Sequence, residues 1–315
     1  MSVTFRRFAR EDLNPLLELI NQANQMDGAG WFFTGIDLLD ALLKDEPIPA
    51  KDRIWLATDG DMLAGYYRLA SEWVQDGLKA TCYGCVHPTY RRLGIGTRLI
   101  QHALAITDQH RPQPKHLLFQ VPARRSVAGI YALCEQNGLT MARQFNVLKR
   151  NAHLALNNCH TRWDGQIKPF ELKRDAVNLQ QGFLVCFPTQ SMSIKSLQME
   201  WEKAHKKAGK WFVAYGSKSE LCGFCLATIE KEEEKEAIGL IDYLGVLPAA
   251  RRQGLGRMLL FETIQYFQAS GLSEIKLATE VDNLNALNLY YDAGFKTWRE
   301  ARLYQIELLK KLDGI

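Results

Sequence analysis

The segment VHPTYRRLGIGTRL, Val86 to Leu99, returns as VLPAARRQGLGRML, Val246 to Leu259, at a separation of 160 residues. A repeat on that scale is domain-sized, so the 315-residue chain is expected to build one kind of fold twice instead of one large core. The flanks repeat as well. Upstream, RIWLATDGDMLAGYY corresponds to KWFVAYGSKSELCGFCL, each reading as strand, polar turn and strand. Downstream, Leu99, Ile100, Ala103 and Leu104 in one half, and Leu259, Leu260, Ile264 and Phe267 in the other, are spaced for a helix. A strand-like run follows, HLLFQV or EIKLATEV, then a short helix, a Gly-apolar step (Gly138-Leu139, Gly294-Phe295) and a last strand. The order predicts two mixed α/β domains, 1–155 and 156–315, with the seam in the polar stretch from Asn157 to Gln166.

Hydrophobic residues make up 47% and charged residues 23%, enough to fill two cores and too apolar for long disorder. The start, MSVTFRRFARED, has basic residues but no apolar run behind them, and no stretch approaches the ~18 apolar residues of a membrane span. The chain therefore reads as soluble and cytoplasmic, with no membrane partner. A net charge of +4, spread among acidic residues with no basic stripe interleaved with aromatics, gives no ground for a nucleic-acid partner. Cys82-x-x-Cys85 and Cys222-x-x-Cys225 lie in strand-like text, where residues three apart are expected on opposite faces. They are read as buried reduced thiols, and no metal site is expected.

The repeated motif places chemistry between a strand and a helix. A loop of the form Arg251-x-x-Gly254-x-Gly256 aims free backbone N–H groups and the positive end of a helix dipole at one point, with Arg251, Arg252 and Arg257 adding charge. Glycine is needed where a Cβ would block the ligand or the backbone angles. A pyrophosphate is the ligand expected. For an isolated copy a plain tight turn is the competing reading, and two copies in matching contexts count against it. A Walker loop would need Lys-Ser/Thr after its last glycine, where Arg257-Met258 stand. A dinucleotide fingerprint would need a third glycine where Leu259 and Leu99 stand.

These residues resemble the GNAT acetyltransferase superfamily, whose motif is Arg/Gln-x-x-Gly-x-Gly/Ala after a strand ending in V-x-P. The chain matches it in both halves, and Asn283, Ala286, Leu289, Tyr290, Gly294 and Phe295 match a second family motif, N-x-x-A-x-x-L-Y-x-x-x-G-F. The resemblance implies two tandem GNAT-type acyl-CoA N-acyltransferase folds. In each, a twisted mixed β-sheet flanked by helices has its fourth and fifth strands splayed around the acetyl-pantetheine arm. It implies acetyl-CoA as cosubstrate, a backbone contact from Val246 to that arm, and a pyrophosphate wrapped by Arg251, Arg252, Gln253, Gly254, Leu255, Gly256 and Arg257, with Asn283 and Ala286 nearby. The matching positions of the first half are Val86, Arg91, Gly94, Ile95, Gly96 and Thr97.

The resemblance also gives Tyr290 the role of general acid toward the departing thiolate; a core aromatic is the plain alternative. Asp242, four residues before Val246, is expected to share a strand face with Leu244 and Val246 and is the candidate base; Glu280 is the alternative. The halves differ. Cys134 falls where Tyr290 stands, Val127 and Ile130 where Asn283 and Ala286 stand, and the 160-residue offset puts Cys82 at Asp242. The second half is expected to carry catalysis and the first to bind acetyl-CoA without turnover, the alternative being a scaffold whose motif persists for folding. The acceptor would be a primary amine of a small molecule or peptide. Trp31, Phe32, Phe33, Trp73 and Trp201 fall in acceptor-lining regions of the fold, although such aromatics more often fill cores. A non-catalytic CoA-sensing module is the competing function.

Overall fold

Alternating strands and amphipathic helices settle into two units, in each of which helices cover both faces of the strands. The computed structural model describes residues 3–28, 46–74, 77–111, 116–156, 163–188, 190, 192–230 and 236–308. Two units separate by packing: unit 1 is Met1–Gln144 with Arg299–Ile315, and unit 2 is Phe145–Trp298.

Unit 1 contains β1 (Thr4–Arg7), α1 (Leu13–Met26), α2 (Ala50–Arg53), β2 (Ile54–Asp59), β3 (Met62–Val74), β4 (Gly77–Val86), α3 (Ile95–Gln109), β5 (His116–Arg124) and α4 (Ile130–Gln136). Next in the chain come β6 (Thr140–Asn151), β7 (Gln166–Pro169), α5 (Leu172–Cys186), α6 (Ile194–Lys206), β8 (Lys210–Tyr215), β9 (Leu221–Glu230), β10 (Ile238–Val246), α7 (Leu255–Ala269), β11 (Glu274–Glu280), α8 (Leu284–Asp292) and β12 (Lys296–Leu308). In unit 1 the strands run β1-β2-β3-β4-β5-β12, and in unit 2 β6-β11-β10-β9-β8-β7. Within each unit one neighbouring pair is parallel, β4 with β5 and β10 with β11, because a crossover helix joins them.

Each unit takes its last strand from the other half of the sequence. Residues 145–151 of β6 pair antiparallel with β11, and residues 301–308 of β12 pair antiparallel with β5. The seam expected at 155/156 follows the repeat, whereas these units follow packing, and the two divisions differ by those terminal strands.

The helical spacing read from the sequence buries one face. In α7, Leu255, Leu259, Leu260, Ile264 and Phe267 are buried against Cys225, Ala227, Ile241 and Ile275. The opposite face of that sheet packs Phe224 and Leu226 against Phe183 of α5 and Leu197 of α6. Unit 1 repeats the two layers, with Leu99, Ile100 and Ala103 on one side and Leu16, Leu19 and Ile20 on the other. Cys82 and Cys85 point to opposite layers as alternation requires. Cys222 does not obey it: the register shifts opposite Ala214/Tyr215, and Cys222 joins Cys225 in the same layer. Among the described residues no cluster of His, Cys, Asp and Glu could hold a metal ion, and no helix is long and apolar enough to cross a membrane.

Candidate active site

The parallel pairing of β10 with β11 stops early. Ile238–Ile241 pair with Glu274–Leu277, yet β10 continues to Val246, so its last five residues have no β11 partner. β4 does the same beyond Thr81 in unit 1. The gap beside Leu244, Gly245 and Val246 opens into a cavity of about 550 Å³, lined also by Cys186, Phe187, Arg251, Arg252, Arg257, Asn283 and Tyr290.

The loop entering α7 is shaped for an anion. Arg252 and Gly254 both take left-handed backbone angles, φ 64° and 89°, which turns successive N–H groups inward. Gly254 is the N-cap of α7, so the first amides of the helix lack intrahelical acceptors. Arg251 donates from Nε to the carbonyl of Val246 at 2.9 Å, fixing loop to strand. The Nε of Arg257 is buried without a hydrogen-bond partner among the described residues, an unmet donor on a cavity-lining cation. A Cβ on Gly256 would meet Val246 and Leu289 at ordinary contact distances, so this glycine keeps the groove wide and no steric clash demands it. Leu255 and Ala286 line the cavity too, and Gln253 is turned away, its side chain donating to the Ala249 carbonyl.

Tyr290 lies on α8, whose N-cap Asn283 accepts from the Ala286 N–H at 3.2 Å. Its ring is 7% exposed and packs edge-on against Phe295. Tyr290 lines the cavity, and its hydroxyl has no hydrogen-bond partner among the described residues. Burial, with Cys225 nearby, holds the phenol well above its ordinary value of 10, so it stays protonated throughout the neutral range.

Asp242 departs from the expected face. The β9–β10 register shifts between Ile241 and Tyr243, leaving Asp242 as the extra residue of a β-bulge. Leu244 and Val246 pack with α7, whereas the Asp242 carboxylate accepts from Thr228 at 2.9 Å on the layer of Leu226 and Tyr243. Two-residue alternation fails across a bulge, so Asp242 looks toward α5 and α6. It keeps contact with solvent, yet the recess removes enough water, with Glu230 and Glu200 adding repulsion, to push its carboxyl up to about 6. Glu280 ends β11 opposite Phe145 and is not among the cavity-lining residues.

The pairing registers also revise the comparison of the halves. Gly65 faces Val86 in unit 1 as Gly223 faces Val246 in unit 2, but Leu69 faces Cys82 where Ala227 faces Ile241. Cys82 thus corresponds to Ile241, and Asp242 is an insertion with no counterpart. Cys134 does correspond to Tyr290: its carbonyl accepts from Leu139 N as that of Tyr290 does from Phe295 N. In unit 1 the Arg91–Gly96 loop keeps the same angles, with Arg92 at φ 66° and Gly94 at 78°. Arg91 also bonds the Val86 carbonyl, but its guanidinium forms a two-point ion pair with Asp27 at 2.7 and 2.9 Å. A Cβ on Gly96 would come within 3.0 Å of Leu133, against 3.6 Å from the matching Leu289 to Gly256.

Cys186 and Phe187 were not legible as site residues, because they end a helix some sixty residues before the glycine loop and carry no motif. Of the aromatics, Trp201 packs on Phe170 and His205 in the α5–α6 layer and Trp73 is exposed; Trp31, Phe32 and Phe33 lie outside the described residues.

Residues 176–295 match a family model described as acetyltransferase (GNAT) family, and residues 50–132 one described as acetyltransferase (GNAT) domain. Mycothiol acetyltransferase of Renibacterium salmoninarum is 27% identical over 232 residues, covering 70% of this chain and 65% of that protein. The Saccharopolyspora erythraea protein of the same name is 24% identical over 272 residues, covering 82% of this chain and 88% of its own. Among solved structures, a GCN5-related N-acetyltransferase from Sphaerobacter thermophilus aligns with 99% of this chain and 98% of its own at a TM-score of 0.79 and 20% identity, a likeness of fold.

Proposed function

The chain belongs to the acetyltransferase (GNAT) family, two of whose domains it carries in tandem, and on that premise we propose that unit 2 transfers acetyl from acetyl-CoA to a primary amine. One observation carries the reading: a single cavity is lined both by the cationic loop at the start of α7 and by Tyr290, whose hydroxyl has no hydrogen-bond partner among the described residues. An acyl-CoA has a pyrophosphate for the first and a leaving thiolate for the second. Bound there, acetyl-CoA supplies an activated thioester carbonyl.

The residues divide the proton work. Asp242, on the bulge two residues before the cavity-lining Leu244, takes a proton from the incoming ammonium, which frees the nitrogen lone pair to attack the carbonyl carbon. As the carbon–sulfur bond breaks, Tyr290 lends its phenol proton to the thiolate and regains one from the acylated nitrogen. The sum is one amide and one free thiol. Asp242 and Tyr290 suit opposite ends of this exchange because their surroundings hold one near neutrality and the other firmly protonated. Arg251, Arg252, Arg257 and the amides from Gly254 onward hold the pyrophosphate.

The acceptor is a small-molecule or peptide amine, and the relatives named mycothiol acetyltransferase make their acceptor the first one to try. Unit 1 keeps the loop without the acid or the bulge and binds acetyl-CoA without turnover. We place the protein in the cytoplasm. The test is release of free CoA thiol from acetyl-CoA across an amine panel that includes that acceptor. Thiol release that depends on an amine supports the transferase; binding with no release for any amine gives the function to the sensor alternative.

A further inference from the structure

We propose that Arg150, contributed by β6 from the first half of the sequence, is a positioning residue that holds α8 and thereby aims Tyr290. This inference rests on the acid role proposed for Tyr290. Arg150 is 1% exposed, and its guanidinium is spent entirely on backbone carbonyls. Nε donates to Ala293 at 2.7 Å, Nη1 to Asn151 and Ala152 at 2.8 and 3.0 Å, and Nη2 to Leu154 and Ala155 at 2.6 and 3.3 Å. Ala293 is the C-cap of α8, three residues beyond Tyr290. The last carbonyls of a helix lack intrahelical donors and carry its negative end, so a buried cation there both satisfies and anchors it. The other four acceptors lie in 151–155, a segment tied separately to α7 by Gln268, whose Nε2 donates to Ala152. Arg150 thus fastens the Tyr290 helix to the element that begins with the pyrophosphate loop.

The other unit supplies the control. Ile275 faces Arg150 across β11–β6, and Phe119 faces Ile306 across β5–β12. Ile275 and Phe119 are equivalent, since Gly239 and Ala80 pair with them two residues before Ile241 and Cys82. Arg150 therefore corresponds to Ile306. The same match appears at the end of the short helix: the nearest atom to a Cβ on Gly294 would be Arg150 Nε, and on Gly138 it would be Ile306 Cδ1. The unit with a tyrosine in the cavity has the guanidinium, and the unit with a buried cysteine fills that place with isoleucine. A clamp needed only for folding would be expected in both.

Arg150→Met and Arg150→Lys in the full chain, compared with Tyr290→Phe, test this by hydrogen exchange and steady-state kinetics. Arg150→Met is expected to speed exchange in α8 by about tenfold or more while α7 and β10 keep their protection. It should lower kcat roughly ten- to a hundredfold through misplacement of the phenol. The acetyl-CoA KM should stay within about twofold, since no pyrophosphate contact is lost. Arg150→Lys, which reaches fewer carbonyls but keeps the charge, should fall between, and it carries the test if the Met variant does not fold. Unchanged α8 protection, or KM rising in step with the fall in kcat, overturns the proposal. Full activity in Tyr290→Phe with a loosened α8 in Arg150→Met would sink the acid role and leave the clamp. An impaired Tyr290→Phe beside an Arg150→Met with intact α8 and kcat would sink the clamp and leave the acid.

Discussion

Replacing Tyr290 by phenylalanine removes one oxygen that, among the described residues, bonds to nothing. The ring stays, so its packing against Phe295 and the rest of the layer is kept. Because no hydrogen bond is lost, stability should change by no more than about 0.5 kcal/mol. Activity should behave differently. General acid catalysis is worth roughly 10²–10⁴-fold, and a thiolate already leaves without much help, which puts the expected loss near 10²-fold in kcat, or about 2.7 kcal/mol of barrier. Thiol release at saturating amine reads kcat, and a thermal melt of the same preparation reads stability. Cys134→Ala, at the corresponding place in unit 1, should leave kcat unchanged. A loss under about threefold in Tyr290→Phe, or equal losses in both variants, would refute the assignment of turnover to unit 2 through this phenol.

Three further outcomes are expected. The folded carboxyl of Asp242 titrates near 6 against an ordinary 3.8, so kcat/KM for the amine should rise as pH passes through about 6, and Asp242→Asn should remove that limb. The linkage runs the other way for stability: a raised carboxyl favours the folded state most below about pH 4 and loses that contribution as pH climbs through 6. Melts of Asp242→Asn should therefore match or exceed the parent above pH 6, and a lower melting point there counts against the burial argument. Gly254→Ala puts a Cβ on a residue at φ 89°, costing roughly 1–2 kcal/mol and about 2–8 °C in melting temperature for a unit this size, with a higher acetyl-CoA KM; an unchanged melt would contradict it. Titration with acetyl-CoA should find one tight site and one at least about tenfold weaker, because Arg91 is already held by Asp27 and Arg251 has no such ion pair among the described residues. Arg251→Ala should weaken the tight site and Arg91→Ala only the weak one.

The sequence carried the architecture a long way. Repeated spacing at Arg91/Arg251 and Gly94/Gly254 fixes a local backbone path that needs no distant partner, and both loops have the left-handed angles that path requires. The helical faces of Leu259, Leu260, Ile264 and Phe267 were equally readable, since burial follows from period alone. Alternation along a strand is weaker currency. It assumes every residue has a partner, and one unpaired residue reverses all that follows, which is why Asp242 and Cys222 lie on faces other than those their neighbours predict. Nor does a strand's own pattern name the strand beside it. The apolar alternation of Val147 and the residues around it marks β6 as a strand, and nothing in it says that the partner is β11, some 130 residues away.

The differences between the units lie outside the motifs and are coupled. Unit 2 has an extra residue in β10, a tyrosine on the short helix and an arginine reaching that helix from β6; unit 1 has a regular β4, Cys134 and Ile306. The bulge turns a carboxylate to the α5–α6 side while Leu244 and Val246 keep their seats against α7, so the proposed base and the proposed acid lie on opposite layers of unit 2. Such an arrangement would suit the proposed ternary complex, with acyl-CoA entering the splay on the Tyr290 side and the amine approaching from the side of Asp242. Alternation turns every second residue to that layer; the inserted residue puts two neighbours there, Asp242 and Tyr243, while Ile241 and Leu244 stay in the core. The absence of that insertion from β4 joins Cys134 and Ile306 in setting unit 1 apart, in keeping with the single catalytic centre proposed for unit 2.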